Sequence, residues 1–129
     1  LPTFVSAAGG KNTPEDSLDG VDLMPFIQGK AQGIPHQTLF WKKEVRAAVR
    51  DGDWKLLRFP DRPAELYNIK NDIAELNDLA SQHPDLVRKL YKKIFDWEVT
   101  LTRPMWQLKR IYEAKAQERM DKYRAEVSH

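Results

Sequence analysis

Cysteine is absent from the 129 residues, which excludes disulfide staples and thiolate metal sites. It does not assign a compartment, because many exported proteins also lack cysteine. No apolar run approaches the roughly 20 residues needed to span a bilayer, and no basic-then-apolar leader is visible at the start. Charge of one sign is lacking too: 21 Lys and Arg stand against 19 Asp and Glu. The balance of +2 gives no electrostatic reason to expect nucleic acid or an anionic membrane. No histidine sits in an HExxH spacing, no serine in a GxSxG elbow, and no glycine-rich phosphate loop occurs. Internal repeats and low-complexity segments are missing as well.

What is present suits one domain with a modest core. "LPTFVSAAGG" reads as a helix with Pro2 near its first turn and Gly9-Gly10 as its stop. Leu1 is not an initiator methionine, so the chain is expected to be a piece of something longer. "LDGVDLMPFIQGK" supports at most two helical turns, and "AQGIPHQ" is a loop. The stretch "TLFWKKEVRAAVRDGDWKLLRF" turns to strand, with Asp51-Gly52 as a hairpin signal. A two-residue loop there predicts Val49 opposite Trp54 and Ala47 opposite Leu56; a glycine-bulge loop shifts one side by one. Period two puts Trp54 and Leu56 on one face, and Lys55, Leu57 and Phe59 on the other, as in an interior strand.

"ELYNI" is a further short strand, and "NDIAELNDLA" predicts a turn closing with about one helical turn. Leu86, Leu90, Ile94, Trp97 and Leu101 form one stripe of an amphipathic helix starting near Ser81 to Pro84. Pro104 breaks or kinks it. A second helix is expected to about Glu126, with Met105, Leu108, Tyr112, Ala116, Met120 and Tyr123 as its apolar line. The order predicts an α+β layer, helices on one face of a small antiparallel sheet.

Residues that carry chemistry are few. His36 lies in a loop beside a strand bearing Phe40 and Trp41, a setting that lines ligand clefts. His83 belongs to a helix cap, and His129 ends the chain. The basic residues of the C-terminal helices are interleaved with Asp and Glu, which reads as a solvated face rather than a nucleic-acid surface. Lys55, between Trp54 and Leu56, raises the possibility of a buried catalytic lysine.

Four landmarks in order resemble the C-terminal end of the formylglycine-dependent sulfatases, of the alkaline phosphatase superfamily. "LPTFVSAAGG" is similar to that family's "D-hydrophobic-xPTxxxLAG", and "LDGVDLMPFIQGK" to its "LDGxSLLPLLxG". "TLFW" with "RAAVRDGDWKLLRF" is similar to "lfWe…aVRdGdWKLi". "AELYNIKNDIAELNDLASQHPDLVRKLYKKIFDW" is similar to "xELYDLxxDpxExxNLAxxxPelxxxLxxxLxxW".

The resemblance implies hydrolysis of sulfate esters, of sulfated carbohydrate or an aryl sulfate, by a parent enzyme with a calcium ion and a formylglycine made within C/S-x-P-x-R, this chain completing its fold and one wall of the substrate cleft. No such motif occurs here, so the catalytic centre, its nucleophile and its calcium ligands are expected outside this chain, which is then inactive alone. Residues 1–34 are expected to close the large α/β domain, 35–102 to form about four antiparallel strands with a packing helix, and 103–129 a helical extension. The implied partners are the N-terminal catalytic domain of the same polypeptide and a sulfated glycan or small molecule. His36, Trp41, Lys43 and Arg46 are the expected substrate-binding residues, since sulfated sugars offer anionic groups to cations and a ring face to tryptophan. Periplasmic or extracellular placement is expected of the parent by resemblance alone. The rivals are a non-enzymatic α+β interaction module and a phosphoesterase of the same superfamily. By this reading Lys55 supports a hairpin instead of catalysing.

Overall fold

The computed structural model describes residues 1–11, 13, 18–43, 45–102, 118 and 121, within two compact units, Leu1–Gln37 and Thr38–His129. In the first unit, helix α1 spans Pro2–Ala7 and the single turn α2 spans Met24–Ile27. Thr3 ties them: its hydroxyl accepts the Leu23 amide at 3.1 Å. The Gly-Gly stop forms as expected. Gly9 takes φ 78°, its amide donates to the Ser6 carbonyl at 3.0 Å, and that of Gly10 reaches Val5 at 2.9 Å. This is a Schellman closure, which satisfies two helix-end carbonyls.

The second unit is a four-stranded antiparallel sheet in the order β1-β2-β3-β4, with one long helix. The strands are β1 Thr38–Lys43, β2 Arg46–Asp51, β3 Trp54–Arg58 and β4 Glu65–Asn68, followed by α3, Pro84–Glu98. The architecture is α+β, as the hydrophobic periods imply. The helix expected to Glu126 lies outside the described residues except at Glu118 and Asp121, which are both helical.

The hairpin register differs from both expected versions. Asp51 pairs with Trp54 and Val49 with Leu56, so the turn is Gly52-Asp53 rather than Asp51-Gly52. The cause is the Asp51 side chain, which accepts the Thr38 hydroxyl at 2.7 Å on β1 and sits 2.7 Å from Lys93 Nζ on α3. Those contacts hold Asp51 in the ladder and pass the turn to the next two residues. Gly52, at the first central position, takes φ 60°, the place where a type II′ hairpin requires glycine. Gly52→Ala is expected to lower stability by about 1 kcal/mol, because a Cβ is strained at that φ. A urea midpoint equal to wild type would contradict this.

Alternation sends Phe40, Val49, Leu56 and Leu66 to one sheet face, where they meet Leu90 and Ile94 of α3. Val49, Leu56, Leu66, Leu90 and Ile94 are all fully buried. Phe40 stacks on Trp97 with centroids 4.9 Å apart, closing one end of the layer. At the other end Trp54 meets the His83 ring edge-on at 5.2 Å. His83 therefore holds the helix entrance by packing, and its side chain makes no capping hydrogen bond.

Helix α3 ends at Glu98, before the expected stripe is complete. The Thr100 hydroxyl and amide both donate to the Trp97 carbonyl, at 2.7 and 3.0 Å, and so compete with continued helix. Leu101 consequently lies beyond the helix and is exposed. The helical turn expected in "NDIAELNDLA" is also absent. Asp72 instead accepts the amides of Leu76 and Asn77, at 3.1 and 2.8 Å, with Glu75 at φ 56°. The segment then closes the outer edge of β4. Asp78 accepts the Leu66 amide at 2.9 Å, and the Leu79 amide donates to the Leu66 carbonyl at 2.8 Å.

Candidate functional site

The two sheet faces of the second unit carry different chemistry. On the α3 face, charged side chains form two clusters that flank the apolar core. In one, Arg58 makes a fork to Glu98, Nη1 to Oε2 at 2.8 Å and Nη2 to Oε1 at 2.7 Å, while Lys42 Nζ lies 2.7 Å from Oε1. The Arg58 hydrogen bonds, joined by those of Lys42, hold the Glu98 carboxyl at about 2, well below its ordinary range. In the other, Lys93 reaches Asp51 and Thr38. Partial burial works against the Asp51 anion, yet hydrogen bonds from Lys93 and Thr38 keep its carboxyl below the ordinary value. Every charge here has a counter-charge fixed by the fold. These clusters join α3 to the sheet.

The opposite face is less completed. Register places Trp41, Ala48 and Leu57 in one row across the sheet. Lys43 and Arg46 face each other on one side of that row, and Arg50 and Lys55 on the other. Like charges set directly opposite one another destabilise a sheet by a few tenths of a kcal/mol. Lys55 is relieved by an ion pair with Glu75, so its ammonium faces a carboxylate rather than an apolar pocket. Arg50 points its Nε at the Gly52 carbonyl, 3.1 Å away. Lys43 and Arg46 have no ion-pair partner among the described residues. Trp41 is 50% exposed on this face.

No protein-family model matches the chain. Solved structures do. Ps i-CgsB, determined with k-i-k-neocarrahexaose, is 26% identical over 95% of this chain, with a TM-score of 0.67. A structure in complex with its substrate D-glucosamine-2-N,6-O-disulfate is 19% identical over 75% of the chain, with a TM-score of 0.56. The phosphonate monoester hydrolase of Agrobacterium radiobacter is 21% identical over 77%, with a TM-score of 0.54. The chain has the fold of a C-terminal sulfatase part. It spans 29%, 22% and 24% of the lengths of those three proteins. The phosphonate enzyme belongs with the sulfatases in the alkaline phosphatase superfamily, so the fold by itself does not separate the two chemistries.

Within this sulfatase-type fold, the four expected site residues divide between the units. His36 lies half-buried in the first, two residues before β1. Trp41, Lys43 and Arg46 belong to the second and share its sheet face opposite α3. Arg50 joins them there, and sequence reasoning did not select it. The signal was available in the period of two, since residues 46, 48 and 50 must share a face. Among the described residues no three His, Asp or Glu side chains gather where one cation would touch them all. No helix of the described residues is long and apolar enough to cross a membrane.

Proposed function

We propose that this chain is the C-terminal part of a sulfatase that hydrolyses sulfate esters of carbohydrate, completing the fold and supplying part of the substrate-binding surface. The observation that carries the reading is the match to Ps i-CgsB over almost the whole chain, beside this chain's own four landmarks that resemble sulfatase motifs. The formylglycine nucleophile and the calcium ligands belong to the N-terminal catalytic domain of the same polypeptide. His36, Trp41, Lys43 and Arg46 are the side chains offered to substrate, the cations to sulfate oxygens and the indole to a sugar ring. The parent enzyme is periplasmic or extracellular.

The chain alone is expected to give no turnover of nitrophenyl sulfate, with or without added calcium. Calcium-dependent hydrolysis by it would contradict the reading. The coding region upstream of Leu1 is expected to encode C/S-x-P-x-R, and its product to cleave sulfated oligosaccharides. A second reading, a phosphonate or phosphate ester hydrolase, is favoured by the Agrobacterium likeness. Faster cleavage of a phenyl phosphonate ester than of any sulfate ester would select it.

A further inference from the structure

Strand β1 reads Thr38-Leu39-Phe40-Trp41-Lys42-Lys43, and most of it fits the sheet in more than one register. Three large apolar residues in a row leave the period of two without a preferred face, since a slip of one residue exchanges Phe40 for Leu39 or Trp41 against the core. Lys42 and Lys43 are interchangeable in the same way. At the turn end Lys43 stands opposite Arg46, a like-charge pair that does not favour its own register.

Helix α3 meets alternate residues of this strand. Lys93 Nζ donates to the Thr38 hydroxyl at 3.2 Å, Trp97 stacks on Phe40, and Glu98 pairs with Lys42. A slipped strand rebuilds the last two contacts, with Leu39 or Trp41 against Trp97 and Lys43 against Glu98. Thr38 has no such substitute. Its hydroxyl donates to Asp51, its direct partner on β2, at 2.7 Å, and accepts from Lys93, which itself lies 2.7 Å from Asp51. Slipping one way sets Leu39 opposite Asp51, with no hydroxyl to donate, and slipping the other way sets the longer Gln37 amide there. The Asp51 side chain is only 15% exposed, so a lost donor is not simply replaced by water.

We propose that Lys93 is a positioning residue for the substrate-binding strand. Through Asp51 and Thr38 it fixes the register of β1, directs Trp41 and Lys43 to the face opposite α3, and sets the point, two residues after His36, at which the strand begins. The inference rests on the sulfatase reading for the role of those side chains, and goes beyond it by giving a part to a helix residue on the other side of the sheet. An ammonium suits the place because its several donors serve the carboxylate and the hydroxyl together. Loss of the lock leaves β1 divided between registers, of which one presents Trp41 and Lys43 correctly. Affinity for substrate then falls in proportion to the fraction in that register, while turnover at saturation is kept.

The test compares Lys93→Met and Thr38→Val with two controls, Thr38→Ser, which keeps the hydroxyl, and Lys92→Met, whose ammonium pairs with Asp96 on the same helix. In the 129-residue chain, magnetic resonance contacts between Phe40 and Val49 and between Phe40 and Trp97 report the register. Wild type and both controls are expected to show one set of β1 signals. Lys93→Met and Thr38→Val are expected to move about two thirds of that intensity to a second set, in which Phe40 leaves Trp97. In the upstream-extended polypeptide the same two variants should raise KM for a sulfated oligosaccharide about threefold and leave kcat within about twofold. A general loss of stability would instead lower rate and signal together with β1 in one register. Wild-type contacts in both variants would overturn the proposal, as would an equal change in the controls, or a changed register with KM unmoved. If the extended polypeptide cleaves no sulfate ester, the sulfatase reading fails, and the resonance comparison still decides whether Lys93 sets the strand.

Discussion

Leu56→Ala is expected to lower the unfolding free energy by about 3 kcal/mol, within the range for emptying a fully buried leucine site. Leu56 is fully buried, pairs with Val49 on one side and Leu66 on the other, and lies in the cluster that also holds Leu90 and Ile94. Its loss removes dispersion contacts to two strands and a helix together, and the backbone ladder prevents those walls from closing in. A domain of this size has a total stability of roughly 5–15 kcal/mol, so the loss is a large fraction of it. Urea denaturation followed by far-UV dichroism measures the change. A shift below about 1 kcal/mol would mean that the core is centred elsewhere. Leu57→Ala, on the other face and half-buried, should cost distinctly less.

Glu98→Gln has the second largest expected effect, and its dependence on pH separates it from a packing change. Arg58 and Lys42 both bind the carboxylate, and its folded value of about 2 lies below the ordinary 4.5. A depressed carboxyl contributes stability that is complete above its unfolded value and disappears as pH falls from about 4.5 through 2. The shift corresponds to about 3 kcal/mol by linkage. The Lys42 side chain is 33% exposed, so solvent screening reduces this to about 2 kcal/mol. The variant is expected to be about 2 kcal/mol less stable than wild type at pH 7 and nearly equal to it at pH 2. A deficit unchanged across that range would show that ionisation of the carboxylate does not carry the effect.

The features legible in the sequence were those set by local period and turn chemistry. The α3 stripe at Leu86, Leu90 and Ile94 follows from the 3.6-residue repeat, and the glycine pair after α1 from the positive φ of a helix stop. The hairpin was legible as a hairpin but not in its register. Asp51 looks like a turn residue until Thr38 and Lys93, 13 and 42 positions away, are seen to hold it in the strand. The Glu98 cluster was hidden for the same reason, since its partners Arg58 and Lys42 come from two different strands. Trp41, Lys43 and Arg46 were chosen one at a time by chemistry. Their arrangement with Arg50 needed the pairing of β1 with β2.

The order β1-β2-β3-β4 repeats the order of the chain. No strand has to wait for a partner made later, and the ladder grows from one hairpin by adding the next segment to the nearest edge. Loop closure is short at each step, so the entropy that must be overcome before contacts form stays small. Only α3 must come back across the sheet, and its two charged anchors lie at the two ends of the layer. The sheet can therefore assemble from local encounters alone, with helix docking as the step that converts a loose meander into a sealed core.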